Sequence, residues 1–216
     1  MDQKTRDTMH WIGVLASAIP FFLLSCALLN VWRDPMAWDE GGWVRYGVGL
    51  LALEFALLHS GVFLGMLLAG AKRASTQLLL GGVLIGFYGF GVWGLAISVD
   101  SPRLVWVFAG VMVGRLITIM TAQFEGAAAV VARSGVGILL YIAGAAGSVF
   151  LPIPEWGITD DVVAQVYPDR GEGIWEQHPE RAIATAAVYF LLLGLAELFI
   201  FGPQKKGGKA KGIEPG

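Results

Sequence analysis

The chain has 216 residues, of which 56% are hydrophobic and only 15% are charged, and its formal net charge is −2 at pH 7. Soluble domains carry about 25% charged residues, so this composition excludes an ordinary soluble domain. We expect a lipid bilayer, and no nucleic acid, as the partner of most of the surface. The single cysteine, Cys26, excludes an intramolecular disulfide and a cysteine-based metal framework.

Apolar residues come in six long blocks, each close to the roughly 20 residues that a helix needs to cross a bilayer. We therefore predict an all-α fold, a polytopic integral membrane bundle of six transmembrane helices that forms one domain over residues 1–202. The predicted spans are 11–32, 45–70, 77–98, 104–122, 134–152 and 182–202.

The first block resembles a signal peptide at its start, because Lys4 and Arg6 precede it. In addition, Leu23-Leu24-Ser25-Cys26 weakly resembles a lipoprotein cleavage site. The apolar run continues to Trp32, however, whereas the apolar part of a signal peptide has about 7–15 residues. We expect a retained first helix.

The end of the fourth span is the least defined boundary. Residues 123–132 are rich in alanine, so they either extend the fourth helix or form a re-entrant segment, and Arg133 is expected to precede the fifth helix. This boundary decides whether Glu125 is a loop residue or part of a buried polar set.

Lysine and tryptophan positions predict the orientation. Cytoplasmic loops of membrane proteins are enriched in lysine and arginine, and tryptophan is enriched at the interfaces. If both termini are inside, every lysine lies on the inner side, and all tryptophans except Trp11 lie at or near the outer interface. We predict an N-in/C-in protein of a prokaryotic cytoplasmic (inner) membrane.

Residues 153–181 form a long acidic loop on the predicted outer side. Thr159 is a suitable N-cap for a short surface helix that starts at Asp160 and stops before Pro168. The acidity of this loop serves either solvation or the collection of cations. Residues 203–216 are rich in glycine and lysine, and we expect a disordered basic cytoplasmic tail.

Glycines four residues apart occur in three spans and allow close approach of helices. They pack either against helices of the same bundle or against another subunit, including a second copy of the chain. The three pairs are Gly61 and Gly65, Gly82 and Gly86, and Gly110 and Gly114.

Ionisable side chains at membrane depth are costly and mark candidate functional residues. Helix rise places Glu54 of the second span at a depth similar to that of Arg115 of the fourth, so we predict an ion pair between them. The pair serves either as a structural link or as part of a polar relay. The candidate set is Glu54, His59, Arg115, Thr118, Glu125 and Glu197.

His59 follows Glu54 by five positions, so the two side chains diverge by about 140° on a regular helix and do not share a face. A weak metal-binding pattern combines His59 with Glu176, His178 and Glu180. An intrachain haem with two histidine ligands is not expected, because His10, His59 and His178 lie at different depths. The cofactor, if any, is left open.

The sequence contains no metalloprotease, P-loop, Rossmann or hydrolase motif. Three hypotheses follow. The first is an accessory or interaction subunit of a membrane complex without catalytic activity. The second is a small transporter or a proton or ion pathway that uses Glu54, His59 and Arg115. The third is a membrane enzyme acting on a lipid or a quinone with His59 as base or ligand.

Overall fold

The computed structural model describes the backbone of residues 3–202 and the side chains of residues 11–121 and 125–202. The predicted basic tail, residues 203–216, and the side chain of His10 lie outside the described residues. The helices are α1 (Gln3–Arg33), α2 (Gly42–Ala69), α3 (Ala74–Ser98), α4 (Arg103–Phe150), α5 (Asp160–Val166), α6 (Ile174–Gln177) and α7 (Pro179–Phe199), with a 3₁₀ turn at Asp39–Gly41.

Six helical segments within the described residues are long and apolar enough to cross a bilayer, which confirms the predicted six-helix membrane bundle. Their surfaces carry many exposed large apolar side chains, such as Leu79, Phe87 and Phe90, as expected where a helix faces lipid. The segments are Trp11–Arg33, Asp39–Ala69, Ala74–Ser98, Arg103–Thr121, Glu125–Phe150 and Pro179–Phe199.

The fourth and fifth segments belong to α4, whose helical structure also includes the alanine-rich stretch 123–132 and Arg133. Residues 125–132 of this stretch are helical and belong to the fifth segment, so they neither lengthen the fourth segment nor form a loop. A straight helix of this length would measure about 72 Å, more than twice the thickness of a bilayer core.

Contacts with α2 show that α4 does not run straight. A methyl group on Gly61 of α2 would overlap both the Arg115 guanidinium and the Ser134 hydroxyl. In a straight helix, Arg115 and Ser134 would be about 28 Å apart. The two halves of α4 therefore fold back against the same side of α2, and they supply two antiparallel membrane segments.

Helices α2 and α7 form the centre of the bundle. In the most apolar stretch of each helix, 50% of the residues of α2 and 61% of those of α7 are buried, against 11% of those of α3. Helix α1 packs along α7, where the Ser25 hydroxyl donates a hydrogen bond of 2.7 Å to the Ala187 carbonyl. Helix α3 packs against α2 and the first half of α4, so most of its surface remains free.

Loops gather at the end of the bundle where α1 ends and α2 begins. The Trp32 indole donates to the Pro154 carbonyl (2.9 Å) and stacks on Trp156 with ring centroids 4.1 Å apart. Arg45 donates to the Val166 carbonyl (2.8 Å) and lies 3.8 Å from an Asp100 carboxylate oxygen. We call this end the cap.

Helix α5 lies in the cap and is the short helix that the sequence predicted. It starts after Thr159, although the Thr159 side chain makes no capping hydrogen bond, and it ends before Tyr167. Val163, Val166 and Tyr167 are buried against the bundle. The apolar face of α5 therefore closes the mouth of the bundle, and its two aspartates remain at the surface.

The three glycine pairs divide into two kinds. Gly61 and Gly65 of α2 face α4 at distances that leave no room for a Cβ atom. Gly82 and Gly86 of α3, by contrast, have nothing within 4 Å among the described residues, and the same holds for Gly110 and Gly114 of α4. Of the three pairs, only the first is in close contact with another helix among the described residues.

Candidate functional site

A cavity of about 370 Å³ lies inside the bundle between α2, α7 and both halves of α4, and Phe21 of α1 contributes to its wall. Four charged side chains line it, two acidic and two basic, together with three hydroxyl-bearing side chains. These residues are Glu54, Arg115, Thr118, Arg133, Ser134, Tyr189 and Glu197. We call this space the polar cavity.

Glu54 and Arg115 share the polar cavity, but the predicted ion pair between them is wrong. No nitrogen of Arg115 lies within 4.0 Å of a carboxylate oxygen among the described side chains. Glu54 instead accepts a hydrogen bond of 3.1 Å from the Tyr189 hydroxyl. Arg115 donates to the backbone carbonyl of Leu57, one helical turn further along α2. The two residues lie at a similar depth and line the same cavity, but each side chain makes its hydrogen bond to a different partner.

Glu197 pairs with Arg133, which the sequence reading treated as a residue before the fifth helix. The Arg133 Nε donates to Glu197 Oε1 at 2.9 Å, and its guanidinium also lies 5.1 Å from the centre of the Phe201 ring. Glu197 is buried, whereas the Arg133 side chain is 46% exposed. The pair therefore marks the end of the polar cavity away from the cap, where it approaches the surface.

Ser134 is the least satisfied polar group of the polar cavity. Its hydroxyl is buried and makes no hydrogen bond to any described residue. It faces the same small gap at Gly61 as the Arg115 guanidinium. Buried hydroxyl groups in proteins nearly always have a hydrogen-bond partner. The Ser134 hydroxyl can therefore donate a hydrogen bond to a group placed in the cavity, or accept one from it.

The other candidates separate into members and non-members of this site. Thr118 lines the polar cavity and donates to the Gly114 carbonyl at 2.9 Å. Glu125 lies on α4 but is exposed and does not line the cavity. The His59 ring packs on Phe55 at 4.1 Å, with Nδ1 3.2 Å from the Phe55 carbonyl oxygen, and it also lies outside the cavity.

The weak metal-binding pattern is brought together only in part. His178 Nδ1 lies 3.4 Å from Glu180 Oε1, while Glu176 accepts a hydrogen bond from the Gly173 backbone. His59 lies on the membrane segment of α2, away from these loop residues. The described residues contain no group of three or more histidine, cysteine or acidic side chains arranged to hold a metal ion.

A second space, the apolar groove, has a volume of about 440 Å³ between α7 and the second half of α4, on the cap side. Its lining includes Trp32, Gly144, Gly147 and Val188, and it also includes Tyr189. Tyr189 thus lines both spaces and separates them, with its hydroxyl on Glu54.

Sequence reasoning missed Tyr189, Ser134 and Arg133 as site residues. Tyrosine and serine carry no charge and so do not stand out within an apolar span, and the charge of Arg133 indicated a helix boundary. A regular continuation of helical spacing through the alanine-rich stretch was the available signal for Arg133.

The chain was also compared with known proteins. No protein-family model, no curated protein sequence and no solved structure matches it. The features of the chain that point to a function are therefore the polar cavity, the apolar groove and the surface of the bundle.

Proposed function

We propose that the protein is a small transporter, or a proton or ion pathway, of a prokaryotic cytoplasmic membrane, with Glu54 and Arg115 at its centre. The observation that carries the proposal is the polar cavity itself. Charged groups inside a bundle are expensive and typically line ion or substrate paths. A structural link would need one satisfied pair, whereas this cavity holds four charges and an unpaired hydroxyl.

Tyr189 supports the proposal through its position between two spaces. The polar cavity extends from Glu54 toward Arg133, and the apolar groove begins on the other side of the Tyr189 ring toward the cap. Movement of one side chain would join them. This arrangement suits a gated path, in which a site inside the membrane opens toward one side at a time.

The test measures proton flux into proteoliposomes that contain the full chain and a pH-sensitive dye. Glu54→Gln and Arg115→Leu should each reduce flux by at least about tenfold, because each removes a charge at the centre of the path. Glu40→Gln and Arg103→Leu are matched controls, since both residues are exposed in the cap. Unchanged flux in both cavity variants would contradict the proposal.

His59→Ala separates this proposal from an enzyme that uses His59. The His59 ring lies against Phe55 and outside the polar cavity, so flux should stay within about twofold of the wild-type rate. A loss of flux comparable to that of Glu54→Gln would show that His59 takes part in the pathway or in an enzymatic reaction, and would contradict its placement outside the site.

A second candidate function is an interaction subunit of a membrane complex. It is favoured by Gly82 and Gly86, which form a flat, outward strip on α3 with open space in front of it. Such strips allow close contact between transmembrane helices. A partner helix would then pack on α3, the helix with the least burial inside the bundle.

Association in membranes tests this second function. Gly86→Leu should abolish energy transfer or crosslinking between labelled subunits, because the larger side chain keeps a partner helix at a distance. Gly91→Leu is the matched control, since Gly91 is also unobstructed but lies on the opposite side of α3. A chain that is monomeric in mild detergent and crosslinks to nothing would remove this candidate.

A further inference from the structure

We propose that Arg115 and Ser134 form a binding site for the carboxylate of a small, otherwise apolar acid inside the polar cavity. The inference rests on the proposed pathway, for which it names the ligand class. Two independent observations lead to it: a partly buried arginine without a carboxylate partner and a buried hydroxyl without any hydrogen bond among the described residues.

The first observation is the donor set of Arg115. Its guanidinium carries five N–H donors in a planar fork, and one described acceptor, the Leu57 carbonyl, is in contact with it. The second basic residue, Arg133, is already paired with Glu197 at 2.9 Å. Arg115 is therefore the cation that remains available for an anion, and a carboxylate matches its fork with two parallel hydrogen bonds.

The second observation is the position of Ser134. The residue is 1% exposed, and its unpartnered hydroxyl lines the polar cavity beside the Arg115 guanidinium. Both groups lie so close to Gly61 that no Cβ atom would fit there, which places them next to each other in the wall of the polar cavity. An acceptor atom in the polar cavity within reach of both groups would satisfy Ser134 and Arg115 together.

The remaining lining determines the rest of the ligand. Phe21, Val111 and Leu193 belong to the cavity wall and offer hydrocarbon contacts. A volume of about 370 Å³ lies at the small end of the range of small-molecule sites. A halide gains nothing from apolar walls, and a dianion is repelled by Glu54 and Glu197. A monocarboxylate with a short apolar chain fits all three features.

Charge balance links binding to a proton. The two acidic and two basic residues of the polar cavity cancel, so a bound carboxylate leaves one excess negative charge, which a proton on Glu54 would neutralise. Glu54 faces Arg115, Arg133 and Tyr141 of α4 and Tyr189 and Glu197 of α7, whereas α1 contributes the uncharged Phe21. Acid and proton would then enter together.

The experiment is calorimetric titration of the purified full chain with sodium butyrate. Butyramide serves as the uncharged isostere, sodium chloride as the bare anion, and inorganic phosphate and phosphatidylglycerol as the alternative anion sources. We expect butyrate to bind, with Arg115→Gln weakening it at least about tenfold and Ser134→Ala about threefold to tenfold. The wild-type affinity should rise as the pH falls, because a proton is taken up with the carboxylate, and Glu54→Gln should remove this change.

Arg103→Gln and Ser98→Ala are matched controls, since both residues are exposed and outside the polar cavity. Arg115→Lys keeps the charge and loses the planar fork. Intermediate affinity in this variant would show that the loss in Arg115→Gln comes from lost contacts with the carboxylate and not from misfolding. Equal binding of butyrate and butyramide, displacement by phosphate or phosphatidylglycerol, or full affinity in Arg115→Gln would overturn the inference. Calorimetry measures binding and does not depend on transport. A chain that binds butyrate but shows no flux in proteoliposomes would therefore contradict the proposed pathway and would still support this binding site.

Discussion

Individual charged residues in this bundle are held by specific partners. Glu197 is buried at the end of the polar cavity, and Arg133 reaches it from another helix while its own side chain stays about half exposed. Two long side chains that meet at the edge of a bundle gain less than a fully buried pair, because water still reaches one of them. Their contribution is therefore modest but measurable.

A double-mutant cycle on this pair should show coupling. Arg133→Met leaves the buried Glu197 carboxylate without its partner and should lower the free energy of unfolding by about 1–2 kcal/mol. In the double variant with Glu197→Gln, the combined loss should be smaller than the sum by about 1 kcal/mol. Unfolding of the purified chain by SDS measures both values, and additive losses would show that the contact contributes nothing.

Tyr167 predicts an alkaline limit for the cap. Burial raises the pKa of the Tyr167 phenol above its usual value, the negative charge of Glu176 raises it further, and Arg45 opposes both. The fold thus holds the neutral phenol. This contribution to stability is complete below about pH 10, the usual tyrosine value, and is lost as the pH rises through the higher folded pKa.

Tyr167→Phe should therefore remove part of the loss of stability at high pH. The Tyr167 hydroxyl makes no hydrogen bond among the described residues, so the substitution should cost little near neutral pH. Thermal unfolding of both proteins from neutral to strongly alkaline pH measures the difference. An identical alkaline loss in the variant would assign the limit to other groups.

At the scale of the helices, the main feature is the docking of both halves of α4 on α2. Gly61 lies between the two halves and touches Arg115 on one side and Ser134 on the other. Gly65 gives the same close approach to Val131 one turn further on. The absence of side chains at these two positions lets the two antiparallel segments share one face of α2, which creates the polar cavity.

Alanine substitutions should separate this packing role from helix propensity. Gly61→Ala introduces a methyl group into occupied space and should destabilise the bundle by about 1–3 kcal/mol. Gly82→Ala enters open space and should be neutral, or stabilising by up to about 1 kcal/mol, because alanine favours the helix. Equal stability of the two variants, measured by thermal unfolding in detergent, would contradict the packing role.

At the scale of the whole molecule, charged and aromatic loop residues collect in the cap. Arg103 at the start of α4 and Asp39 in the 3₁₀ turn before α2 lie 3.6 Å apart there. The opposite end carries the turn around Lys72 and Arg73 between α2 and α3. The bundle therefore has two chemically different ends, and the lysine bias predicts that the cap faces outward.

Cysteine labelling tests that orientation. In a chain with Cys26→Ala, Glu172→Cys introduces a thiol in the cap and Lys72→Cys introduces one at the opposite end; both residues are exposed. An impermeant maleimide should label the Glu172→Cys chain in intact cells and the Lys72→Cys chain only after permeabilisation. The reverse result would show that the termini face outward.

The sequence by itself determined the class of fold and the number of membrane segments. Block hydropathy is a local property of the chain, and a span needs only about 20 consecutive apolar residues, so no knowledge of partners was required. For the same reason the short helix α5 could be predicted from Thr159, its following aspartates and Pro168. Local chemistry was sufficient for these elements.

Only the tertiary structure decided which buried groups meet. Glu54 and Arg115 were expected to pair because their depths match, yet Tyr189 binds Glu54 and the Leu57 carbonyl binds Arg115. Depth along a helix can be read from the sequence, whereas the rotation of each helix and the choice of neighbours depend on packing over the whole bundle. The polar cavity arises from that packing, because both halves of α4 lie against α2 at Gly61.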